Sequence, residues 1–381
     1  AGGLASTDID TSSELAAILT DETGTGRSVF SISPAFSGTP TFAALTATST
    51  LTLSGTAANI ALGSNYLSGD GDDEGIYVSS AGNVGIGTTT PNQILTVQGN
   101  INISALNSGL YITGTKYLHA STTSDSIAFG EGAGASFVTG SKNNTALGFN
   151  AANLVSSTAA DNNVFVGRGA GTSNSGAFNN IIGDLAGNSN SGWDNQLIGT
   201  NAGYNNLAHY NVLMGLNAGY NNQGANNISI GEGAGYNASG ASNQYIGKQT
   251  AYYSTSGTLN VAVGDEALFG PGSNYTGGSR NVALGYRAGY ISTTGSANNI
   301  LIGYQAADNL TTGNNNIIIG HDIDNITATA DNKLNIGNLL FGTAIDGTGT
   351  TLSTGNIGIG TSTPNQRLSI FANAADSAIE F

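Results

Sequence analysis

The chain of 381 residues has no cysteine, one methionine, one tryptophan, five prolines and only nine lysines and arginines. Without cysteine, disulfides cannot hold the fold, and thiol catalysis and thiolate metal sites are excluded. Nine basic residues against 24 acidic ones leave a formal net charge of −15. A nucleic-acid partner is therefore not expected, because its binders need a basic footprint to neutralise phosphates. Anionic membranes are disfavoured on the same ground. No apolar run approaches the roughly 18 residues of a spanning helix, so membrane insertion is not expected either. Charged residues are 9% of the chain, against roughly 25% in ordinary globular domains.

Glycine is what the chain has in excess, at 57 residues, about twice the usual share. Asn, Thr and Ser fill much of the remainder. Hydrophobic residues still reach 39%, too many for a disordered Gly/Ser linker. They come in short pulses, with β-branched residues and glycine turns in quick alternation, which predicts many short strands and an all-β chain.

The strongest signal is an internal repeat. From about residue 126 to 337 one unit recurs: Asn, three mostly apolar residues, Gly, two variable residues, Ala, then Gly or Ala. Copies read NNIIGDLAG, NVLMGLNAG, NISIGEGAG and NVALGYRAG. Thirteen glycines end the expected strands, from Gly130 through Gly167, Gly215 and Gly247 to Gly337. The five spacings between Gly167 and Gly247 are 16 residues each, and the others run from 17 to 21, as insertions in one outer turn would produce.

The residue just before the glycine is apolar in all thirteen copies, as in Val166, Ile198, Met214 and Ile230. The residue two earlier is apolar in nine, and the one between them in eleven, among them Phe165, Leu197 and Ile318. The first two point the same way in a strand and are expected to line the interior. The middle residue would then face outward, where a neighbouring chain is the simplest cover for it. Eleven copies carry Asn four residues before the glycine. That suits a turn entering the strand and side-chain amide ladders between stacked copies. Each coil reads as two short strands and two turns. Thirteen coils at roughly 4.8 Å each predict a rod on the order of 60 Å long.

This coil resembles the head of trimeric autotransporter adhesins, which are parallel β-rolls with three chains side by side. The coil there is shorter than 16 residues. The resemblance covers a little over half the chain and implies a homotrimer. Two near-copies of a second motif bracket the repeats, GNVGIGTTTPNQILTV from Gly82 and GNIGIGTSTPNQRLSI from Gly355. They resemble a short GIGT-x-TP module of phage tail fibres and large bacterial surface proteins. Pro91 and Pro364 should start or interrupt a strand, and LTV and LSI read as strands. The stretch Ile9 to Gly26 also resembles tail-fibre-like segments. It holds the one plausible short helix, with Thr11 or Ser12 as cap and Glu14 to Leu19 following. Between Phe30 and Leu62 the composition suits thin, intertwined strands that gain a core only by trimerising. A start at Ala1 without methionine suits a processed or excised chain, and a trimerising chaperone that follows such modules elsewhere would lie past Phe381.

The expected organisation is therefore an all-β, intertwined homotrimer with four parts: an extended N-terminal segment (1–60), a first GIGT-x-TP module (61–120), a β-roll or β-helix solenoid of about 13 coils (121–337) and a second module (338–381). Catalysis is not expected. His119, His209 and His321 lie far apart, and no nucleophile elbow, HExxH or phosphate loop occurs. An acidic pair on a β-helix would be the one route to a polysaccharide-active enzyme.

The metal candidate is GDGDDEG, where Asp70, Asp72 and Glu74 alternate as in the first half of a calcium loop. The bidentate acid expected later is replaced by Ala81, and an acidic solvated turn explains the same residues. The ligand candidate is a tyrosine row, Tyr204, Tyr220, Tyr236 and Tyr252, spaced by 16, with Tyr290 further on. It reads either as rings stacking along a rod or as an aromatic and amide stripe for sugars. The expected function is an extracellular fibre, on a virion or a cell surface, that attaches to a host or cell-surface glycan or protein receptor. A non-adhesive filament or sheath is the alternative. An ice-binding face would need a recurring Thr row, and none recurs.

Overall fold

The computed structural model describes residues 66–67, 75–99, 101, 109–112, 115–121, 125–137, 141–155, 157–270, 272, 277–291, 295–324 and 327–371. The helix expected at residues 11–19, the segment from Phe30 to Leu62 and the acidic turn with Asp70, Asp72 and Glu74 lie outside them. Two compact units divide the chain, Ala1–Ile101 and Asn102–Phe381. Among the described residues every regular element is a strand, and no helix is long and apolar enough to cross a membrane.

The first unit carries one sheet of four strands in chain order: β1 (Tyr66–Leu67), β2 (Ile76–Val78), β3 (Val84–Ile86) and β4 (Leu95–Val97). The first three pair antiparallel, and β3 and β4 pair parallel across the loop that holds Pro91.

The second unit opens with β5 (Gly109–Ile112) and β6 (Thr115–Ser121), an antiparallel pair that leads antiparallel into β7 (Ser126–Phe129). The repeat then supplies one strand per coil: β8 (Thr145–Leu147), β9 (Val164–Val166), β10 (Asn180–Ile182), β11 (Gln196–Ile198), β12 (Val212–Met214) and β13 (Ile228–Ile230). It continues with β14 (Gln244–Ile246), β15 (Val261–Val263), β16 (Val282–Leu284), β17 (Ile300–Ile302), β18 (Ile317–Ile319) and β19 (Leu334–Ile336). From β7 to β19 each strand pairs in parallel with the next, so thirteen strands span twelve turns of a parallel β-solenoid. Register follows the period, with Leu213 between Leu197 and Ser229. The chain then turns back antiparallel through β20 (Leu340–Gly342) and β21 (Ile357–Ile359), and β21 pairs in parallel with β22 (Leu368–Ile370). No register among the described residues joins β22 back to β5.

The two GIGT-x-TP copies fold alike. Asn83 Nδ2 donates to the Pro91 carbonyl at 3.2 Å, and Asn356 Nδ2 to that of Pro364 at 3.0 Å. Both prolines sit in the loop between the two parallel strands, where no ladder amide is needed.

Two expectations about the coil are corrected. Each coil holds one strand, not two, of four residues in β7 and three in β8 to β19. The rest of the coil is turns, bonded to the next coil by their own backbone, as in Asn221 N–H to the Tyr236 carbonyl (2.8 Å) and Gln223 N–H to that of Ala238 (3.0 Å). Left-handed corners make this possible. Besides the strand-ending glycine, such as Gly215 at φ 132°, a coil bends at Asn217 (φ 56°), Gly219 (54°) and Asn226 (60°). Gly and Asn visit that region at least cost, yet Phe178, Tyr210 and Leu259 adopt it in the row of Asn226.

The second correction is the direction of the strand faces. The middle residue of each strand points inward: Phe165, Ile181, Leu197, Leu213, Tyr245, Leu301 and Ile318 are fully buried. The residues on either side face out, so Ile182, Ile230, Ile246 and Ile300 remain 36–39% exposed. The interior is narrow. Opposite the strand it is walled by a row of small residues, Ala170, Ala186, Ala202, Ala218 and Ala234, all fully buried. A Cβ on Gly215 would stand 2.6 Å from the Gly231 carbonyl oxygen of the next coil, so the glycine row lets successive turns approach this closely.

Candidate functional site

The aromatic row begins as a consequence of the inner amide ladder. Eleven Asn residues from Asn144 to Asn316 are buried in or beside the interior. The Oδ1 of each accepts the backbone N–H of its counterpart one turn on, as in Asn227 N–H to Asn211 Oδ1 at 2.9 Å. A second buried row links Asn190, Asn206 and Asn222 by Nδ2 to Oδ1 bonds of 2.7 Å. These bonds lock the phase of consecutive coils, so a residue nine places after the ladder Asn recurs at one point of the circumference.

At that point the rings stack. Tyr204 and Tyr220 lie 4.9 Å apart between centroids, Tyr220 and Tyr236 5.0 Å, and Tyr236 and Tyr252 4.7 Å, with planes within 15° of parallel. The stack continues through Phe269, at 5.9 Å from Tyr252 and 5.2 Å from Tyr290. Phe269 carries no tyrosine to mark it, and its place in the row is legible only from its position nine residues after Asn260. Beside the rings runs an exterior amide row, with Asn205 Nδ2 donating to Asn221 and Asn221 to Asn237, each at 3.0 Å.

The geometry brings all five expected tyrosines together, and it decides what they present. Ring faces within the stack cover one another, so the stripe offers mainly ring edges, hydroxyls and the free valences of the amides. Partial burial raises the hydroxyl pKa of Tyr236 and Tyr252, with neighbouring tyrosines adding to it, so these groups stay neutral donors. At one end the Arg287 guanidinium lies 4.8 Å over the Tyr290 ring and bonds Glu266 Oε2 at 2.6 Å. That hydrogen bond raises the Arg287 pKa further.

The histidines lie apart from this row. His209 accepts the Trp193 N–H on Nδ1 at 2.9 Å, and His321 stacks on Tyr304 at 5.0 Å. Among the described residues no three His, Cys, Asp or Glu side chains are grouped to hold a metal. The comparisons with family models, curated proteins and solved structures give no match to this chain.

Proposed function

We propose that the chain is one protomer of a trimeric extracellular fibre that attaches to a surface, and that it acts by binding, not by catalysis. The observation that carries this reading is the outward face of the solenoid sheet. Each of thirteen strands contributes two outward positions, and none of them is charged. Twenty-two are apolar, and those range from partly buried to about half exposed, as at Phe129 (51%). The strip runs the length of the thirteen-strand stack, and a large uncharged apolar patch on a surface marks an interaction site.

Burying the strip against other copies removes it from water, and the absence of charge means that no ion has to be desolvated. The end modules support the same reading. Ile94 is 81% exposed and Phe371 68%, as in modules that complete a core only on assembly. Three as the number of copies comes from the resemblance to adhesin heads and tail fibres. The aromatic and amide stripe, outside this strip, is the receptor-facing element in this reading.

Native mass by light scattering tests the proposal. A value near 114 kDa, three times the 38.1 kDa chain, is expected. A value near 38 kDa would overturn it, and very large species would favour the filament.

A further inference from the structure

Near the C-terminal end of the solenoid the surface departs from its repeat. The segment after β20 turns back across the last coils, tied by Ile345 N–H to the Asn332 carbonyl at 3.1 Å. Between this segment and the coils lies a cleft of about 500 Å³, within the span of small-ligand sites (about 300–1,000 Å³). Its apolar surface comes from Ile345 on the returning segment and from Ile300 and Ile317, two outward strip positions that face this segment here and so stand apart from the part of the strip assigned to other copies. Its polar surface comes from one amide row, Asn298, Asn315 and Asn332, and from Asp346 opposite.

These polar groups are positioned and only partly used. Asn315 Nδ2 donates one hydrogen to Asn332 Oδ1 at 3.1 Å, which leaves its second N–H and its own carbonyl oxygen free of that bond. Asn298 Oδ1 accepts Arg280 Nε at 2.6 Å, and its amide nitrogen remains to donate. The Asp346 carboxylate accepts the Thr354 N–H and hydroxyl, both at 2.7 Å, so the wall opposite is held in place. These Thr354 bonds, with a smaller contribution from the Arg367 charge, keep its pKa below the usual value.

We infer that this cleft binds a neutral sugar, as a single hexose-type ring or a short oligosaccharide end. A sugar ring presents C–H surface on its faces and hydroxyls around its edge. Aliphatic surface flanked by amides and one carboxylate matches both. An anionic ligand fits poorly, because the wall carries a carboxylate and the chain a net charge of −15. The inference rests on the attachment reading only for the ligand class, and the site lies outside the tyrosine row.

The test is titration calorimetry of the full chain with glucose, galactose, mannose, N-acetylglucosamine and their disaccharides, with native mass measured on the same sample. Binding of at least one sugar is expected, at millimolar affinity or tighter and one site per chain. Asn315→Ala should weaken it roughly five- to tenfold, the worth of a lost hydrogen bond. Thr348→Trp, a change on the returning segment that fills the cleft and leaves the solenoid sequence intact, should abolish it. Tyr220→Ser with Tyr236→Ser should leave it unchanged. Silence across the whole panel would overturn the inference, as would sugar binding that survives Thr348→Trp or is lost with the two tyrosines. A trimer mass with a silent panel removes the cleft and keeps the fibre, and a monomer that binds sugar does the reverse.

Discussion

Tyr245 occupies the inward strand position that other coils fill with Leu, Ile, Phe, Ala, Ser or Asn, and its stacking neighbours there are Ser229 and Ala262. The large ring takes the volume that these two small residues leave, so the interior stays filled although no single coil conserves its size. Full burial pushes its hydroxyl up to about 12, with the Ser254 and Asn260 side chains opposing the shift. The folded chain thus keeps a proton that the unfolded chain releases near pH 10. Stability from this group is complete below about pH 10 and falls as pH rises toward 12, by up to about 3 kcal/mol. Thermal melts across that window should show the loss, and Tyr245→Phe should remove its share, leaving only what the exposed tyrosines contribute. Tyr245→Ala should cost about 3–5 kcal/mol at neutral pH through the cavity it opens.

At the scale of one element, the coil is held by its amide ladder and its glycine. Asn211 accepts the Asn227 N–H and donates to Asn206 Oδ1 at 3.2 Å. Asn211→Ala leaves the buried Asn227 N–H without its acceptor, at a cost of about 1–3 kcal/mol. Gly215→Ala places a methyl against the next coil at φ 132°, where an L residue is strained, and should cost at least about 2 kcal/mol. Urea melts of the two variants should rank the glycine change as the more damaging. An equal or smaller cost would mean that the turns slide apart easily. Both rows were legible in the sequence, because a ladder and a close backbone approach each demand one residue type at a fixed spacing. The left-handed corners were legible only in part: Asn226 announces one, whereas Tyr210 and Leu259 adopt the same conformation without any local preference for it.

For the whole molecule, the proposed fibre assigns association to the outward strip and folding to the inward positions, so the two can be separated by mutation. Ile230→Lys puts a charge on the strip at a position 36% exposed, where the free chain can solvate it. A trimer packed through this strip should fall to a mass near 38.1 kDa, with its circular dichroism retained. Leu213→Lys, fully buried, should instead unfold the coils around it. If Ile230→Lys remains trimeric, the strip is not the contact between copies.

The period, the all-β character, the strand positions, the glycine and Asn rows and the phase of the tyrosines follow from the sequence by itself, since each depends on one residue type recurring at one spacing. The direction of the strand faces was decided only by the tertiary structure. With residues such as Val212, Leu213 and Met214 apolar at all three strand positions, alternation cannot say which face is interior. The ladder Asn held the clue, because Asn211 and Leu213 share a strand face and the ladder is buried. The narrow interior decides the rest: it accepts one residue per strand against the alanine row and turns the two flanking residues to the outside.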